Sequence, residues 1–299
     1  MNKLNLSAAM LAALAFAACG DDNEPAPAPD SSAYDFQVIE YLPAPGQFVN
    51  ELPEYKPDDD AATMAAKADA MLHRGDVVSL GAWGGSITMR LNLPLPNNDG
   101  ADFRIRGNAY FSGSDSDGRR FGSSEPGIVY VMRDDNGNGE PDDCWYELRG
   151  EGYEQSIADY EVTYHRPALD ATDATYIRWT AADGSEGYIN RVSAYHLQSF
   201  FAEWVGQGSQ TFRGRRLPDN GVLDEPTGTY RLFNVKGYAD SYPNNSNESG
   251  LDISSAVDAE GRAVELDRID FIKVVTGVLQ CNGMLGENST EVAGLEFLQ

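Results

Sequence analysis

Short runs of alternating apolar and polar residues, broken every few positions by Gly, Asn, Asp or Pro, dominate the chain from Val77 onward. They cover 77–80, 86–93, 103–111, 127–132, 145–148, 160–164, 176–180, 232–235 and 269–276. Period-two patterning sends successive side chains to opposite faces, so these runs predict antiparallel strands joined by tight turns. Strands at this density predict an all-β dominated fold, a jelly-roll-like β-sandwich. The stretch 189–205 mixes aromatics without a clear period and reads as a strand plus loop or short helix. No internal repeat of solenoid or propeller length is visible.

The N-terminal part obeys different rules. Prolines at 43, 45, 53 and 57 predict that 34–57 is an extended arm wrapping the domain instead of regular structure. A single helix is predicted over about 60–73: Asp58 to Asp60 supply capping acids, Met64, Ala68, Met71 and Leu72 share a face, and Gly75 ends it. Two polar stretches, 112–124 and 241–250, read as long loops, where ligand contacts concentrate on a sandwich.

The first eighteen residues have the form of a secretory signal, with Lys3, an apolar stretch too short to span a bilayer, then Phe16-Ala17-Ala18-Cys19. This context resembles the lipobox of bacterial lipoproteins, with Phe16 where Leu is usual, and implies acylation of Cys19. A plain secreted protein is the alternative. Residues 19–33 then form an acidic and Pro-alternating tether, Gly20-Asp21-Asp22-Asn23-Glu24 followed by Pro25-Ala26-Pro27-Ala28-Pro29. The acidic patch is similar to the surface-export signal of Bacteroidetes lipoproteins, although any solvated linker would look alike. Residues 34–299 are expected to be one domain.

Charge narrows the partners. The formal net charge is −25, and a cut before Cys19 would remove one Lys and no acid. So negative a surface repels phosphate backbones and anionic lipid, which argues against nucleic acid, while it suits divalent cations.

The densest polar motif runs from Asp134 to Asp143, Asp-Asp-Asn-Gly-Asn-Gly-Glu-Pro-Asp-Asp. Oxygen ligands at alternate positions and a glycine at the sixth place suit a structural calcium, held by Asp134, Asn136, Asn138, Asp142 and Asp143. The twelfth position is Trp145, so the bidentate Glu of an EF-hand is missing. A hairpin turn would favour the same residues. Two further acid-bearing turns, Ser123-Ser124-Glu125-Pro126-Gly127 and Gly286-Glu287-Asn288-Ser289-Thr290-Glu291, could each add a carboxylate to a metal or polar site. The glycines of Gly81-Ala82-Trp83-Gly84-Gly85 read as strand-entry structure.

Signatures of catalysis are absent: there is no Gly-x-Ser-x-Gly, no His-Glu-x-x-His and no phosphate-binding Gly-x-x-x-x-Gly-Lys-Ser/Thr. His73, His165 and His196 stand far apart in sequence. A glycoside-acting enzyme needs only two carboxylates, and nothing in the sequence selects a pair. Beyond Cys19 only Cys144 and Cys281 remain; one bridge between them and two free thiols are both open.

Taken in order, Pro43-Ala44-Pro45-Gly46-Gln47-Phe48-Val49-Asn50-Glu51, Val78-Ser79-Leu80-Gly81 with Gly84-Gly85-Ser86, and Glu125-Pro126-Gly127-Ile128-Val129 carry a family likeness. They continue through Asp135-Asn136-Gly137-Asn138-Gly139, Trp145-Tyr146-Glu147-Leu148, Gly237-Tyr238-Ala239-Asp240, Ile269-Asp270-Phe271-Ile272-Lys273-Val274 and Thr276-Gly277-Val278. The set resembles the uncharacterised "cell surface protein" lipoproteins of Bacteroides and relatives, over nearly all of 34–297. Members of that family are similar to companions of outer-membrane TonB-dependent transporters, some in corrinoid (vitamin B12) uptake loci. The resemblance implies a surface-exposed, outer-membrane-anchored, non-catalytic protein that captures a corrinoid or other nutrient, with a glycan-binding or adhesion module as the alternative. The loop residues expected to touch such a ligand are Tyr238, Asp240, Tyr242, Asn244 and Asn245.

Overall fold

A computed structural model describes residues 30–168, 175–191, 196, 198–206 and 208–298. The leader, Cys19 and most of the tether lie outside the described residues. Strands make up 41% of the described residues and helical turns of all kinds 12%, so the all-β, sandwich-like class is the observed one. Its centre is a six-stranded antiparallel sheet in the order Phe36–Leu42, Ser86–Pro96, Arg268–Thr276, Gly127–Met132, Trp145–Leu148 and Ala256–Val257.

Alternation places the two faces of this sheet in different packing environments. Ile87, Met89, Val129, Val131, Ile272 and Val274 bury against Met64, Ala68 and Leu72 of the helix Ala61–Arg74. Ile128, one residue out of phase with Val129, instead joins Leu217, Tyr238 and Val278. A four-stranded sheet, Glu186–Asn190, Thr175–Ala181, Ile157–His165 and Gln210–Arg216, closes a second core around Trp83, Phe200 and Phe201. A third sheet contains Gly221–Asp224, Thr229–Phe233, Arg120–Ser123 and Tyr110–Ser114. Two strand pairs, Val78–Ser79 with Glu291–Val292 and Phe103–Arg106 with Gly294–Phe297, bring the C-terminal segment back across the molecule.

The helix follows its capping signals. Among the three candidate acids it is Asp60 whose carboxylate accepts the Thr63 N–H, at 2.8 Å, and Gly75 closes the other end in the left-handed region at φ 77°. Asp60→Ala is expected to destabilise the protein by about 1 kcal/mol, read as a lower urea midpoint at unchanged slope.

Three expectations need correction. The arm 34–57 is not irregular throughout, because Phe36–Leu42 is the edge strand of the main sheet. The run 103–111 is two strands, Phe103–Arg106 and Tyr110–Ser114, and the loop 112–124 holds a hairpin closed by Arg120–Ser123. The glycines after Leu80 are structural, as read: a Cβ on Gly85 would lie 1.8 Å from the Leu80 carbonyl oxygen, so backbone packs directly on backbone there. Among the described residues no helix is long and apolar enough to cross a membrane.

Candidate functional site

The two acid-bearing turns singled out in the sequence meet. Glu125 precedes the strand Gly127–Met132, and Glu291 opens the strand Glu291–Val292. The loop carrying Asp240 is fastened beside them: Gly127 and Ala239 exchange two backbone hydrogen bonds of 2.9 Å, and Glu125 N–H donates to the Asp240 carbonyl at 2.9 Å. The Thr290 hydroxyl donates to the Glu125 carbonyl at 2.8 Å, which ties the C-terminal turn to the same point. Carboxylate oxygens of Glu125, Asp240 and Glu291 therefore all lie within 4.8 Å of one another, the one such acidic, His or Cys triad found among the described residues.

Each acid has its own set of partners. Asp240 Oδ1 accepts the N–H groups of Asn108 (2.9 Å) and Ala109 (3.0 Å), and Oδ2 accepts that of Glu291 (2.9 Å). Its backbone sits at φ 50°, in the left-handed region that Asp tolerates better than most residues. Glu125 Oε1 accepts the Ser289 N–H at 3.0 Å. Glu291 Oε1 accepts the Ser289 hydroxyl at 3.0 Å, which also pairs with the Ser79 hydroxyl at 2.9 Å, and Asn108 Nδ2 donates to Glu291 Oε2 at 3.4 Å.

Burial raises the pKa of all three acids, because charged carboxylates lose their hydration with no cationic partner in return. The charge of Glu125 pushes Asp240 and Glu291 up further. The three N–H donors on Asp240 oppose its rise. Glu125 and Glu291 line a cavity of about 480 Å³ together with Asn108, Ser289, Phe48 and Tyr110.

The other expected ligand residues divide. Asp240 is central, but Tyr238 is only 2% exposed and packs in the core beside Ile128, so it is a structural residue and not a loop contact. Asn244 clamps the neighbouring loop, accepting from Gly107 N–H at 3.0 Å and donating to its carbonyl at 2.9 Å. Tyr242 lines a separate hollow with Phe111 and Arg120, and Asn245 is exposed. Asn108, Ser289 and the pairing of Glu125 with Glu291 had no sequence signal beyond the acids themselves.

The loop Asp134 to Asp143 closes around its own backbone. Asp134 accepts from the N–H groups of Gly137, Asn138 and Gly139, and the amides of Asn136 and Asn138 both donate to Asp142. Asp143 accepts the Asp135 N–H at 2.9 Å. The hairpin-turn reading accounts for all of these contacts. Cys144 and Cys281 are free thiols, the first exposed and the second half-buried, so the bridge left open by the sequence is not formed. His73 stacks on Phe36 and pairs with Asp35, His165 meets Thr180, and His196 packs edge-on to Phe48.

Comparison with protein-family models and with curated proteins finds no match.

Proposed function

We propose that this chain is a surface-exposed lipoprotein that captures a small nutrient ligand without catalysis, in the cavity over Glu125 and Glu291. The observation that carries the reading is a cluster of three carboxylates, two buried and one half-buried, of which Glu125 and Glu291 line a cavity large enough for a small molecule. A volume of about 480 Å³ falls within the range of small-molecule sites. Phe48 and Tyr110 offer apolar faces, while Asn108, Ser289 and the carboxylates offer polar contacts, a combination that suits a hydroxyl-rich ligand such as a sugar.

A divalent cation fits the triad. Oxygens bound to one calcium at roughly 2.4 Å stand no more than about 4.8 Å apart, the spread observed for Glu125, Asp240 and Glu291. Burying Asp240 and Glu291 beside a third carboxylate costs several kcal/mol per buried ion unless something neutralises them, and a bound cation would do so. Coordination positions left open toward the cavity would then take ligand hydroxyls. The leader, the lipobox-like Cys19 and the family likeness support capture at the cell surface for a TonB-dependent transporter. The polar and aromatic lining favours a mono- or disaccharide, and a corrinoid is the alternative that the same titration tests.

Calorimetry with calcium, then with sugars, oligosaccharides and cobamides, tests the reading. One calcium per chain is expected, and Glu125→Gln with Glu291→Gln is expected to weaken it on the order of tenfold or more. A second calcium, lost in Asp134→Asn, is what the loop Asp134 to Asp143 would give if it too binds. No heat from any of these probes would sink the proposal.

A further inference from the structure

A second cavity, of about 210 Å³, opens between the four-stranded sheet and the segment that follows Val278. None of the triad residues lines it, and its reading does not rest on the function proposed for the triad. Trp83, Trp179 and Tyr188 supply aromatic walls, and Glu287 and Asn288 line the same space. The sheet prepares room for one of these rings: Gly187 pairs with Trp179 across the strands, and a Cβ there would lie 2.5 Å from the indole.

The polar groups of this cavity are unusual in what they lack. Glu287 is 3% exposed and Asn288 fully buried, yet Glu287 Oε2 and Asn288 Oδ1 have no hydrogen-bond partner. Their other atoms are engaged, Glu287 Oε1 by the Gln47 N–H at 2.6 Å and Asn288 Nδ2 by Asn220 Oδ1 at 3.2 Å. Both spare atoms are acceptors, so what they lack is a donor. No Lys, Arg or His lines the cavity among the described residues. Leaving a buried carboxylate oxygen unpaired is costly; a small organic cation would compensate its charge while resting against electron-rich ring faces, and one that carries a hydroxyl, as choline does, also brings a donor.

We propose that this cavity is a binding site for a small organic ammonium ion, held between the Trp83, Trp179 and Tyr188 rings and the Glu287 carboxylate. A cavity of about 150 Å³ lined by apolar side chains accepts benzene, so 210 Å³ has room for a trimethylammonium head and a short chain. Four features converge: aromatic walls, a buried carboxylate with a free oxygen, a second free acceptor, and no protein cation among the lining residues.

The test is calorimetry of the intact mature chain with choline and tetramethylammonium, against dimethylbutanol, the neutral tert-butyl isostere of choline. It is run at about pH 8, where Glu287 is mostly ionised, since burial lifts its pKa to about 7. Choline is expected to bind, with the neutral isostere weaker by roughly tenfold or more. Trp179→Ala and Glu287→Gln should each weaken choline by a similar factor, and the second variant guards against loss of folding in the first. The overall charge of −25 attracts any cation to the surface, but Trp179→Ala leaves that charge untouched. Absence of choline binding at millimolar concentration overturns the assignment. So does equal affinity for the neutral isostere, or unchanged affinity in folded Glu287→Gln.

Discussion

Asp240→Ala is expected to destabilise the protein by roughly 3 to 5 kcal/mol, while Asp240→Asn stays within about 1–2 kcal/mol of the parent. The carboxylate of Asp240 accepts three backbone N–H groups, those of Asn108 and Ala109 after the strand Phe103–Arg106 and that of Glu291 on the returning C-terminal segment. Removing it orphans three buried donors at about 1–3 kcal/mol each, less what the backbone recovers by relaxing. Alanine must also hold φ 50°, which costs about another kcal/mol, whereas asparagine adopts that region readily. Loss of one carboxylate relieves repulsion with Glu125, and this offset is why the expected sum is not larger. Asparagine keeps Oδ1 for Asn108 and Ala109 and loses only the acceptor for Glu291. Urea denaturation in chelator reads the contrast without interference from bound cations. Equal losses in the two variants would mean that the charge of Asp240, and not its hydrogen bonds, holds the loop.

What the sequence reveals and what it hides follow from the range over which each feature is decided. The helix Ala61–Arg74 is local: Asp60 and Gly75 bracket it, and its ends were legible to within a residue. The strands of the main sheet, such as Gly127–Met132 and Arg268–Thr276, were legible as short apolar, β-branched runs bounded by turn residues, the first buried on both faces. Phe36–Leu42 was hidden because a bulge between Val38 and Glu40 breaks the period of two, and Pro43 follows at once. The hairpin Tyr110–Ser114 with Arg120–Ser123 was hidden for another reason. No residue of either strand is fully buried, so no apolar alternation marks it. The candidate site is decided at the longest range. Glu125 and Glu291 were visible as acids in turns, but only the sheet order and the return of the C-terminal segment against Val78–Ser79 place them together. The acid-dense loop Asp134 to Asp143 attracted more attention in the sequence because its residues are adjacent, yet they satisfy one another's backbone.

Glu287→Gln is expected to reverse the usual sign of a core substitution, and to do so only at high pH. Burial, with repulsion from Glu125 behind it, lifts the Glu287 carboxyl from an ordinary 4.5 to about 7, against the opposing pull of the Gln47 N–H. Between those two values the native state holds a proton that the unfolded chain has released. Stability then falls as pH rises through that window, since it drops wherever the native state binds more protons. Below about pH 4.5 both states are protonated and the group contributes nothing; above about 7 the full penalty of about 3 kcal/mol is present. The amide cannot ionise, so it removes this penalty while Oε1 still accepts from Gln47. Its NH₂ group replaces an oxygen that already lacked a partner, a cost of about 1 kcal/mol that does not vary with pH. The variant should therefore be slightly less stable than the parent near pH 4.5 and more stable by about 2 kcal/mol near pH 8. Urea midpoints across this range, in chelator and without amines, measure the crossing. A difference between the two proteins that stays flat with pH would show that Glu287 is ionised in the native state throughout, and that some cationic group in its surroundings already compensates its charge.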